Sequence, residues 1–421
     1  MAKRSWRVKL ACVWGGELIS VLTSSILQMG FIWHITLSTN SASMLSLASL
    51  AGFLPLAAFG TFAGVIVDRM PIKRVLIGAD LFIAAVSALV AAVSAAGALP
   101  VWVVIVALFF RAIGSAFHTP AFQTLTPLVA PPEHLTRLAG VSQAVQSGGY
   151  ILGTAVAAVI YPLWGLTAMI ALDVLGALLA TVAVVVARLD VGGAQAAGEA
   201  AGEAAEAGPV GISSRVRALL QETAAGYRVL RAYRGLFALL WCGFAFTLVF
   251  SPISALFPLM TIDHFGGTTT DAATAEIVFS VGMIAGSALL ASTGGFKNRA
   301  LTVAAATALY GAATLAAGLL GPGGYYAFLA MSFLMGLSSP FYSGPQTALM
   351  QEKIPPEYLG RVFGLYGAIM SWALPVGLAV SSLFADAVGA PLWFAGAGAA
   401  MVVLAAATWA IPSIRTIESD S

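Results

Sequence analysis

Pro131-Pro132-Glu133-His134-Leu135-Thr136-Arg137-Leu138-Ala139-Gly140 returns 224 residues later as Pro355-Pro356-Glu357-Tyr358-Leu359-Gly360-Arg361-Val362-Phe363-Gly364, with six of ten positions identical. Each copy is a short polar turn, opened by two prolines, between long apolar runs. A matched turn of this kind implies a chain built as two homologous halves. The surroundings are very apolar: 59% of the 421 residues are hydrophobic and 9% charged, against about 25% charged in an ordinary soluble domain. That balance excludes a water-soluble globular enzyme, because 20 basic and 18 acidic side chains could not cover so large a surface.

Between the turns, twelve runs are long enough to cross a bilayer, at roughly 10–37, 44–67, 75–97, 101–126, 138–162, 165–188, 235–262, 273–292, 299–320, 325–349, 360–385 and 390–412. Backbone amides in lipid need partners within their own segment, so the runs are helices. The strands of a membrane barrel would be ~10 residues of alternating polarity. The expected fold is an all-α integral membrane protein, twelve transmembrane helices in two six-helix pseudo-repeats. Both copies of the turn then join the fourth and fifth spans of their half. With both termini cytoplasmic, every Lys and Arg except Arg111 lies on the inner side. A wrong span count would scatter those charges. The basic start is read as the flank of the first span, not as a signal peptide, since Glu17 interrupts a long run and no small-residue cleavage site follows.

Residues 192–211 are almost wholly Gly, Ala, Glu and Pro, a flexible linker. After it Val216, Leu219, Leu220, Tyr227 and Leu230 recur at helical spacing among arginines, as in an amphipathic helix on the inner leaflet. The expected division is 1–190, a six-helix bundle; 191–234, a cytoplasmic linker; and 235–421, a second six-helix bundle.

The loop after the second span reads Gly64-Val-Ile-Val-Asp68-Arg69-Met-Pro71-Ile72-Lys73-Arg74. It resembles the major facilitator loop pattern of glycine, Asp-Arg and a basic cluster, with Ile72 where an arginine usually stands. Gly64 allows close helix approach, and Asp68 suits the N-terminus of a facing helix, where free amides favour an anion. The resemblance implies that this helix is the eleventh, beginning near Gly360 and Arg361. Gly64, Asp68, Arg69, Lys73, Arg74 and Arg361 would then form a cytoplasmic lock. Plain positive-inside anchoring suits Lys73 and Arg74 about as well. Further stretches, Ala79-Asp80-Leu81, Arg111-Ala-Ile-Gly114-Ser-Ala-Phe-His118-Thr-Pro120, Ala171-Leu-Asp173-Val-Leu-Gly176 and Pro340-Phe-Tyr342-Ser-Gly344, are similar to the macrolide-efflux branch of the drug:proton antiporters. That resemblance implies a proton-coupled macrolide exporter of the bacterial inner membrane. Siderophores or other amphiphiles, or lipids being flipped, are alternative cargoes for the same fold.

Ionisable side chains within spans are functional candidates by default. Here they are Glu17, Asp80, Arg111 and Asp173. Glu17, Ser20, Ser24 and Gln28 share one face of the first span, and Arg111, Ser115, His118 and Phe122 one face of the fourth. Thr247, Ser251 and Ser254 line a stripe on the seventh, as do Ser338, Tyr342 and Gln346 on the tenth. The resemblance implies that these four spans line the central cavity. Glu17 is the first choice for proton coupling. Asp80 is expected mainly to join the lock with Arg69 or Arg74. Arg111 and Asp173 lie at similar depths, so pairing is in reach, though whether their faces meet is open at this point. His118 could relay protons, but a neutral imidazole bonded to a backbone carbonyl is the preferred reading. Asp263, His264, Asp271 and Glu276 read as a hydrated external rim.

An intramembrane enzyme is not expected: no metal-ligand spacing, paired catalytic aspartates or activated nucleophile occurs in the sequence. ATP drive would need a phosphate-binding loop, which the sequence lacks. A net charge of +2 gives no field for nucleic acid. No cofactor is expected, the partners being a hydrophobic small molecule, protons and lipid, and nothing demands more than a monomer.

Overall fold

The computed structural model describes residues 6–67, 70–97, 99–129, 135–187, 226–293, 296 and 298–417, and among these every regular element is helical. In chain order they are α1 (Trp6–Thr39), α2 (Ala42–Val67), α3 (Ile72–Ala96), α4 (Val101–Val129), α5 (Leu135–Val186), α6 (Arg234–Leu259), α7 (Thr269–Thr293), α8 (Arg299–Leu319), α9 (Tyr325–Lys353), α10 (Pro356–Val388), α11 (Ala390–Ala410) and the short α12 (Pro412–Arg415). A single π-helical turn, Met260–His264, extends α6. Asp68, Arg69, Lys297, the start of the 131–140 turn and most of the 191–234 linker lie outside the described residues.

Ten of these helices are long and apolar enough to cross a membrane. The count reaches the expected twelve for two physical reasons. α5 has 52 residues, more than twice what a bilayer needs, and breaks at Pro162 and Gly165. Gly165 sits at φ 68°, a left-handed conformation that suits a residue without Cβ, so the two arms run as separate spans. α9 has 29 residues, ample length, but its serines and glutamines lower its mean hydropathy.

The chain forms two compact units, one holding 1–39 with 48–209, the other 40–47 with 210–421. In the first, α1 lies against both arms of α5. A Cβ on Gly149 would meet Val21, on Gly153 the Leu22 carbonyl, and on Gly176 Thr23, so helix contact there is backbone-close. In the second, α7 and α9 meet in the same way. A Cβ on Gly336 would strike the Phe279 carbonyl, and one on Gly282 the Phe333 carbonyl. Replacing Gly336 by alanine is therefore expected to destabilise the fold by about 1–3 kcal/mol, read as a lowered melting temperature of the purified protein.

Residues 40–47 are held by side chains of the second unit. Asn40, at φ 45°, donates Nδ2 to Asp263 Oδ1 at 2.7 Å. Asp386 accepts from the Ser41 hydroxyl at 2.7 Å and the Ser43 amide at 3.0 Å, satisfying the start of α2. His264 Nε2 lies 2.7 Å from the Leu320 carbonyl, and Asp271 accepts from the Thr268 amide at 2.7 Å. The acids and histidine expected as a loose hydrated rim are thus bound into specific contacts, with Glu276 also engaged.

Candidate functional site

Three helices of the first unit carry polar pairs spaced seven residues apart: Glu17 and Ser24 on α1, Asp80 and Ser87 on α3, Arg111 and His118 on α4. Seven residues are two turns, about 10.5 Å, and bring both members to one face. α4 runs opposite to α1 and α3, so its two residues meet the others in reverse order. The result is two polar layers in an apolar bundle.

In the first layer, His118 Nε2 lies 3.3 Å from Asp80 Oδ1 and 3.6 Å from Glu17 Oε2. Gln146, on the first arm of α5, donates Nε2 to Glu17 Oε1 at 2.8 Å. Both carboxylates are buried, Glu17 at 6% and Asp80 at 3% exposure. The His118 ring stacks on Phe122, which holds it between the two acids. Arg74 is exposed and Arg69 is undescribed, so Asp80 is seen with His118 rather than with the expected loop arginine. His118 likewise faces two carboxylates, not the backbone carbonyl preferred from sequence. Proximity in the chain suggested the loop arginines; the antiparallel register of α3 and α4 selects the histidine.

In the second layer Arg111 and Asp173 form an ion pair, with Arg111 Nη2 donating to Asp173 Oδ1 at 3.0 Å and Nη1 meeting Oδ2. Ser24 donates to Oδ1 at 2.9 Å and Ser87 to Oδ2 at 2.7 Å. The guanidinium also reaches both serine hydroxyls. α1, α3, α4 and the second arm of α5 each contribute a side chain, so the charge is satisfied as buried charges must be. Gln28 and Ser115 are half-buried on the same faces and belong to neither layer.

The second unit offers a different chemistry. Tyr342 stacks on Phe246 with ring centroids 4.4 Å apart, and Phe250 and Tyr310 pack around Phe246. The Tyr342 hydroxyl is buried without a hydrogen-bond partner among the described residues. Gln346 donates to the Leu239 carbonyl at 3.2 Å and accepts from Tyr366 at 3.3 Å. Ser251 and Ser338 bond to carbonyls of their own helices, so neither presents a free donor proton. Trp372 is 45% exposed and stands apart.

Of the lock residues, Gly64 lies in α2, Lys73 is half-buried and Arg74 is exposed. Arg361 is exposed, its guanidinium 5.7 Å from the Tyr358 ring centre. Among the described residues no three His, Cys, Asp or Glu side chains could hold a metal ion.

Gln146, Ser87 and Phe246 escaped the sequence reading. Gln146 shares a face with Gly149 and Gly153, and Ser87 stands seven residues beyond Asp80, so a signal existed for both. Phe246 is one of 23 phenylalanines, and nothing in the sequence singles it out.

Comparison with known proteins accords with this geometry. Macrolide efflux protein A of Streptococcus pyogenes is 44% identical over 418 residues, covering 98% of each chain. Macrolide efflux protein A of Enterococcus faecalis is 46% identical, covering 80% of this chain and 99% of its own. The multidrug efflux pump Tap of Mycolicibacterium fortuitum is 25% identical over 94% of each. A solved POT peptide transporter shares the fold at 14% identity, with a TM-score of 0.72 over 97% of this chain and 95% of its own. The model of the Major Facilitator Superfamily matches residues 13–373. With its paired six-span pattern, its matched turns and that match over most of its length, the chain belongs to the Major Facilitator Superfamily.

Proposed function

We propose that this membrane efflux transporter exports macrolide-like hydrophobic drugs in exchange for protons, by alternating access of two six-helix halves. The observation that carries the proton part is the buried Glu17–His118–Asp80 layer. Two carboxylates around one neutral imidazole hold two negative charges; one proton leaves one, and a second leaves none. An apolar environment favours the neutral form, so the layer gains and releases protons as access to water changes. Arg111 and Asp173 are a different case: arginine keeps its proton, and the pair is already neutral. Their role in this reading is to hold α1, α3, α4 and α5 in register.

The names of the relatives support the macrolide part, and the aromatic cluster of Phe246, Tyr310 and Tyr342 offers large rigid contact for such a molecule. In this reading Ser24, Gln28, Ser115, Ser251, Ser338 and Gln346 line the same path. Gly64, Asp68, Arg69, Lys73, Arg74 and Arg361 act as the cytoplasmic lock. The halves are 1–190 and 235–421, joined by the linker 191–234. The protein works as a transporter rather than an enzyme, as a monomer in the bacterial inner membrane, with both termini cytoplasmic.

The test is uptake of labelled erythromycin into inverted membrane vesicles whose interior is made acidic. Uptake that collapses on adding a protonophore is the expected result. Well-folded protein that takes up no drug overturns the macrolide reading. Uptake indifferent to the protonophore overturns the coupling ion.

A further inference from the structure

Glu17 has three polar neighbours in its layer, and only one of them cannot carry a proton. His118 faces Oε2 at 3.6 Å, and Asp80 lies beyond it, 3.3 Å from the same imidazole nitrogen. Gln146 takes the other oxygen, Oε1, at 2.8 Å. The two are unlike in exposure: Glu17 is buried and Gln146 is exposed. The amide therefore caps the one carboxylate oxygen turned away from the histidine, and it does so from the open side. Its position is fixed by the backbone-close approach of α5 to α1 at Gly149 and Gly153, one and two turns further along the same face. The next charged groups, Arg111 and Asp173, satisfy each other a layer away.

We propose that Gln146 is a positioning residue that seals Glu17, so that protons reach the layer only when the transporter changes state and leak is suppressed while no drug is bound. A hydronium ion or an ammonium group approaching Oε1 from the open side must first displace the amide. A neutral amide suits that role, because it donates to the carboxylate without offering a proton of its own. This inference rests on the proton-coupling reading above and adds to it the group that prevents slip.

The experiment uses the full chain in liposomes holding a pH-sensitive dye. Drug-free proton entry is compared for the wild type, Gln146→Met, which keeps the length of the side chain, and Gln146→Ala. Loss of the seal is expected to speed drug-free entry about tenfold, the population factor of one charge-assisted hydrogen bond. Drug–drug counterflow without a pH gradient should stay near the wild-type rate, while gradient-driven accumulation falls. Adding Glu17→Gln to either variant should return the leak to the wild-type level. A wild-type leak rate in both variants overturns the proposal, and so does a parallel fall in counterflow and accumulation without leak. The coupling reading fails separately, if the wild type itself takes up drug without regard to the gradient.

Discussion

Replacing Asp173 by alanine is expected to destabilise the protein by about 3–5 kcal/mol, the usual consequence of stranding one member of a buried ion pair. Arg111 is 8% exposed and Asp173 1%, so little water is at hand to take over. The two serines cannot compensate, since their hydroxyls are bound to the departing carboxylate and to the guanidinium together. Folded yield and melting temperature after detergent extraction read the effect. Arg111→Leu alone should be as severe, because it leaves the carboxylate with only Ser24 and Ser87. Joining Asp173→Leu to Arg111→Leu removes both charges and should restore much of the folded yield, as apolar replacement of a buried pair commonly does. Single variants that melt like the wild type would show that the pair does not hold these helices.

Much of this architecture is legible in the residues. Twelve apolar runs, the doubled turn and the one-sided arginines follow from what a bilayer demands of a backbone and of a charge. The break in α5 was legible because Pro162 and Gly165 are both poor residues for a continuing helix. Which residues meet is a different matter. Arg111 and Asp173 could be matched for depth, but depth does not fix the rotation of a helix. Asp80 was drawn towards the loop arginines by proximity in sequence, whereas the bundle turns it to a histidine on the next helix. The seven-residue spacing shared by α1, α3 and α4 was the available clue, and it becomes meaningful only once antiparallel neighbours are assumed. In the second unit the serines of α6 and α9 looked like cavity donors. They instead donate to their own backbones, as short hydroxyl side chains in helices often do.

The last expectation concerns the layer that carries the proposed coupling. A transmembrane difference of about one pH unit corresponds to roughly 1.4 kcal/mol per proton, so one-for-one exchange can concentrate a drug about tenfold. Glu17→Gln keeps the shape of the side chain and removes a titrating carboxyl. His118 and Asp80 remain 3.3 Å apart, so the single variant is expected to retain part of the accumulation through them. Combining Glu17→Gln with Asp80→Asn leaves only the imidazole. Accumulation in vesicles with that gradient should then fall from about tenfold to about one, while drug–drug counterflow continues. The split matters because a variant that merely misfolds loses both activities. Accumulation that survives in the double variant would move the coupling away from this layer, to a carboxyl outside it.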